Sequence, residues 1–123
     1  MKWEFNDDTP IYLQIMDHVK AQIAAGSLQP GEKIPPVREL ALEAGVNPNT
    51  MQKALAELER EGVLYSQRTA GRFVAENRGE VEELKRQMAQ EQVIHFAQAM
   101  ERLGYGPKEA LCLFEQYVKT ILT

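Results

Sequence analysis

Long apolar runs, paired cysteines and clustered histidines are all missing from this chain, and each gap removes a class of function. No stretch approaches the ~18 consecutive apolar residues that carry a helix across a bilayer. The first ten residues are acidic and hold no signal-peptide core, so neither a membrane nor a secreted protein is expected and the chain is placed in the cytoplasm. Cys112 stands alone, which excludes an intramolecular disulfide; set between Leu111 and Leu113, it reads as a small buried apolar residue. His18 and His95 are far apart, and no metal-site spacing, phosphate loop, nucleophile elbow or acid–base cluster is present. An enzyme, a metal site and a bound cofactor are therefore not expected. Positive charge is scarce as well: 14 Lys and Arg stand against 18 Asp and Glu, a net charge of −4. Taken alone, that balance argues against nucleic acid, whose phosphates are neutralised by Lys and Arg. Its distribution argues the other way. Residues 44–56 and 62–75 contain Lys53, Arg68 and Arg72 and not one acid.

What is there suits one small core with an appendage. A chain of 123 residues, 44% hydrophobic and 26% charged, has the composition of an ordinary globular domain and no room for a catalytic domain beside a binding module. Thr9-Pro10 reads as a cap and first residue of a helix running to about Ala25, with Tyr12, Ile15, Met16, Val19 and Ile23 on one face and Gly26 as the stop. Leu28–Gly31 reads as a turn. A short helix follows, carrying Val37, Leu40, Ala41 and Ala44 inward and ending at Gly45; Asn47 then caps a helix that starts at Pro48 and turns Met51, Ala54, Leu55 and Leu58 inward. Two short helices around a tight glycine turn are a helix-turn-helix pattern. Residues 63–66 and 72–75 read as strands of a hairpin, the wing, with Phe73 and Val74 in the core. From Gly79 onward two helices are expected, broken at Gly104-Tyr105-Gly106-Pro107, and the run Glu80, Glu82, Glu83 suits a helix start. The expected architecture is mainly α with a small β-hairpin wing: a winged helix-turn-helix domain over residues 1–77 and a helical dimerisation tail over 78–123.

The stretch Ile34-Pro35-Pro36-Val37-Arg38-Glu39-Leu40-Ala41, with Gly45-Val46-Asn47, Ala54-Leu55, Leu58, Glu61-Gly62 and Gly71-Arg72-Phe73-Val74, resembles the GntR family of bacterial regulators. The resemblance spans about the first 77 residues, and the short tail is similar to the YtrA-type branch. It implies a winged helix that binds DNA, with Arg38 on a phosphate, Asn47, Asn49, Thr50 and Gln52 along the recognition helix in the major groove, and the wing around Thr69 in the minor groove. Asn and Gln suit that role because their amides bond adenine edges in pairs. Lys53, Arg68, Gly71 and Arg72 complete the expected DNA-binding set. This sequence departs from the family where Pro36 replaces a Ser cap, where Pro48 and Gln52 replace frequent arginines, and where Thr69 and Arg72 stand for a glycine and a small residue. Arg68 is expected to take over the minor-groove contact.

The tail carries the remaining expectations. Leu84, Met88, Phe96, Met100, Leu111, Phe114, Tyr117, Val118 and Ile121 form apolar faces that a two-helix hairpin cannot cover by itself, so a second copy of the chain is expected to cover them. The function expected is that of a homodimeric regulator, a repressor, on a pseudo-palindromic DNA operator. The competing expectation is a winged-helix protein-interaction module that does not bind DNA. Neither the operator sequence nor an effector can be read from these residues.

Overall fold

Ile15, Met16, Val19 and Ile23 recur at helical spacing and are all buried, which seats α1 (Ile11–Ala24) on α3 (Pro48–Arg60). A computed structural model describes residues 2–122, and these divide into two compact units, one up to Lys85 and one from Arg86 onward. In the first unit, α2 (Val37–Ala44) and α3 (Pro48–Arg60) pack against each other and β1 (Leu64–Gln67) pairs antiparallel with β2 (Gly71–Val74). Leu40, Ala41, Met51, Ala54, Leu55, Leu58, Leu64 and Val74 share one core with α1, closed from below by Leu28 and Ile34.

Local chemistry explains the joints. Gly45 ends α2 at φ 72°, a left-handed conformation that costs glycine nothing and other residues strain. Asn47 caps α3, its Oδ1 accepting from the Asn49 amide at 2.8 Å, and Pro48 follows at the first helical position. Asn77 does the same for α4 (Arg78–Arg102), accepting from the Gly79 amide at 2.8 Å and the Glu80 amide at 3.2 Å.

Four details differ from expectation. Pro10 is the residue before α1 rather than its first helical residue, and Thr9 supplies no capping bond. Gln14 fixes the entry instead: it accepts from the Asn6 amide at 2.9 Å and donates to the carbonyls of Asn6 at 2.9 Å and Thr9 at 2.8 Å. The strands lie at 64–67 and 71–74, because Gln67 pairs with Gly71 and confines the connection to Arg68-Thr69-Ala70. The stretch after the Leu28 turn also joins the sheet, since the Gly31 amide donates to Val74 O, the Ile34 amide to Arg72 O and the Val74 amide to Glu32 O, at 2.9 to 3.0 Å. Phe73 is only half-buried, stacked on Tyr65 at 5.5 Å.

In the second unit the rest of α4 and α5 (Pro107–Ile121) form a helical hairpin, with Phe96 edge-on to Phe114 at 6.2 Å and Ala110 the buried residue. Leu55 is fully enclosed at the centre of the head. Leu55→Ala is expected to lower unfolding free energy by about 2–5 kcal/mol in urea titration; a loss under about 1 kcal/mol would place the centre of the core elsewhere.

Candidate nucleic-acid interface

With Met51, Ala54, Leu55 and Leu58 locked inward, α3 turns Asn49, Gln52, Lys53 and Ala56 outward, one exposed stripe at three- and four-residue spacing. Thr50, at the edge of that stripe, is half-buried, and its amide bonds the Asn47 carbonyl at 3.0 Å. Lys53 lays its ammonium over the Tyr12 ring, 4.0 Å from the centroid, which ties the stripe's cation to α1. Arg38 is exposed on the first turn of α2. Arg68 and Thr69 are exposed at the wing tip, where Gly71 takes φ 114° to turn the chain back.

An open groove runs between the hairpin and the segment leading into α2, lined by Lys33, Pro35, Pro36, Arg68, Thr69 and Gly71 among others. Lys33, absent from the expected set, lies against Gly71 so closely that a Cβ there would meet its Cε at 3.0 Å. Nothing local in the sequence marks it, because long-range pairing with β2 brings it there. Arg72 is placed differently from Arg68. Its Nε donates to Glu59 Oε1 on α3, and the Ser66 hydroxyl donates to the same oxygen. Partial burial pushes the Glu59 carboxyl up, but the bonds from Ser66 and Arg72 outweigh it and hold the group below its ordinary value, so it is ionised at neutral pH. On the hairpin's other face the Tyr65 hydroxyl donates to Glu76 at 2.8 Å, which raises the phenol's pKa.

The order of elements, the capped outward helix and the hairpin straight after it agree with one known group: residues 11–74 match the description "Bacterial regulatory proteins, gntR family". The chain belongs to the GntR family. It is a transcriptional regulator of that family, which consists of regulators and not enzymes. Its relatives include the YtrA-type branch: the transcriptional repressor YtrA of Bacillus subtilis is 48% identical over 69 residues, 56% of this chain and 53% of that one, so the chain spans about half of that relative. Among solved structures, a GntR family transcriptional regulator from Listeria monocytogenes superposes with a TM-score of 0.83 at 33% identity, covering 91% of this chain and 98% of that one. The DNA-binding domain of AraR, solved in complex with operator ORX1, superposes with a TM-score of 0.56 at 32% identity over 61% of this chain and 96% of that one.

Within this GntR chain the residues expected in the tail separate into two groups. Leu84 packs, half-buried, on the head's core together with Val81. Phe96, Leu111, Phe114, Tyr117 and Ile121 are exposed in their own unit, with Met88, Met100 and Val118 partly covered. Cys112, expected to be buried, is exposed, because a single pair of helices covers only one side of α5. His18 stacks on Trp3 at 4.0 Å, and its burial keeps the imidazole pKa below the usual value. Among the described residues no three His, Cys, Asp or Glu gather as metal ligands, and no helix is long and apolar enough to cross a membrane.

The Asn47 cap gives a direct test. Asn47→Ala is expected to cost about 0.5–2 kcal/mol of stability in urea titration without DNA, and Asn47→Asp to cost little. Equal losses for both would show that the cap bond is not what Asn47 contributes.

Proposed function

We propose that this GntR regulator is a homodimeric repressor that places α3 of each subunit in successive major grooves of a pseudo-palindromic operator. The observation that carries the reading is the outward stripe of α3. It is polar and free of acid in a chain of net charge −4, and the wing tip and Arg38 are exposed on the same head. The AraR domain captured on its operator is built on the same fold, and the YtrA relative is named a repressor, which supports both halves of the proposal.

In this reading Asn49 and Gln52 bond base edges, and Asn47 and Thr50 stand at the helix start close to the backbone. Arg38 and Lys53 meet phosphates. Arg68 enters the minor groove from a wing tip formed by Thr69 and Gly71, whose narrow space favours a guanidinium. A second copy covers the tail. Phe96, Leu111, Phe114, Tyr117 and Ile121 are each more than two-fifths exposed, and grouped large apolar side chains of this kind mark an interaction surface. A two-fold pairing there sets half-sites about one helical turn apart.

Selection from a random duplex library at about 0.1 M salt, with the salt slope recorded, tests the whole proposal. A two-fold symmetric motif is expected; negligible retention even at low salt would contradict it. Against the selected site, Arg38→Ala is expected to weaken specific and random DNA alike and flatten the salt slope by about one, while Gln52→Ala costs about 1–3 kcal/mol at the selected site and changes base preference. Phe114→Glu is expected to shift the protein to monomer in sedimentation equilibrium and to weaken operator binding at least tenfold; a persisting dimer would remove the tail from the interface.

A further inference from the structure

Strand alternation decides where Arg72 points. Leu64 and Val74 are buried in the core, so Ser66 and Arg72, two positions away on each strand and directly paired, lie on the same inward face. The paired Tyr65 and Phe73 occupy the opposite face. From that inward face both Ser66 and Arg72 reach one oxygen of Glu59, the residue on the last turn of α3. The Arg72 side chain is only 17% exposed and that of Glu59 29%, unlike the freely solvated ion pairs of most protein surfaces. Arg68 and Lys33, by contrast, are exposed cations that line the groove without an ion-pair partner among the described residues.

We propose that Glu59, Arg72 and Ser66 form a clamp that fixes the wing to the recognition helix, making Arg72 and Glu59 positioning residues for DNA binding rather than contacts to the duplex. The inference rests on the DNA-binding reading above. Its physical content is preorganisation. A two-stranded hairpin is marginal by itself. Holding it to α3 before DNA arrives spares the complex the entropy of ordering the wing at the moment of binding. The clamp also neutralises an acid at the C-terminal end of α3. Arg72 then acts as a strut rather than a further cation for the groove.

The two roles of Arg72 predict opposite behaviour for its partner. With the clamp, Glu59→Gln and Arg72→Ala each weaken binding to the selected operator about tenfold. The salt slope stays at the wild-type value, since no phosphate contact is lost, and the double variant binds no worse than the weaker single one. In the DNA-free protein, amide exchange across residues 67–72 speeds up by a similar factor in both variants while α1 and α3 stay protected, which separates a loosened wing from a protein that fails to fold. If Arg72 instead contacts DNA, Glu59→Gln frees it and tightens binding, and Arg72→Ala flattens the salt slope by about one; either result overturns the clamp. Intact operator binding with unchanged hairpin exchange in both variants also overturns it. A wild-type protein that retains no DNA at low salt overturns the DNA-binding reading itself, and with it any role of the clamp in binding.

Discussion

The burial of one face of α3 is the constraint on which the rest of the head depends. Met51, Ala54, Leu55 and Leu58 have no accessible surface, so the helix cannot rotate about its axis without exposing them. Its outward stripe of Asn49, Gln52 and Lys53 is therefore fixed by packing rather than by any feature of the polar residues themselves. The other elements follow from that seat. Helices α1 and α2 cover its flanks, β1 runs off its C-terminal end through the Gly62 turn, and the wing folds back to β2 and onto residues 31–34.

Charge completes the picture on a small scale. The protein is acidic as a whole, so its long-range attraction to a polyanion is weak, and the proposed DNA binding depends on short-range complementarity over a narrow face. The head manages its few cations accordingly. Arg38, Arg68 and Lys33 are left exposed on α2, the wing and the segment before α2, Lys53 is steadied by the Tyr12 ring, and Arg72 is bonded to Glu59. Lys20 is paired with Glu61 at 2.8 Å, at the C-terminal end of α3.

Most of the head was legible because its signals are local. Asn47-Pro48 marks a helix start, Gly45 and Gly62 mark stops, and helical spacing of apolar residues assigns the inner faces with no knowledge of partners. What was not legible depends on residues distant in the chain. Pairing of residues 31–34 with β2, and with it the position of Lys33 by the wing, has no local pattern. Glu59 reads in sequence as one more acid at a helix end, and Arg72 as a surface cation, until the hairpin brings them together. Thr9-Pro10 failed as a cap because Gln14, four residues beyond the proline, reaches back and takes over the entry. Cys112 reads as buried from its apolar neighbours, and in a single chain it is exposed beside Leu111 and Phe114: the pattern reports that a face is to be covered and not what covers it.

The surface proposed to meet DNA is the acid-free outward stripe of α3 together with the wing. Titrating isotope-labelled protein with a short duplex carrying its selected site, and following backbone amide shifts, tests it residue by residue. The largest changes are expected over residues 47–53 and 67–72, with residues 107–121 unmoved. Changes centred on the exposed apolar face of α5, with residues 47–53 unmoved, would contradict it.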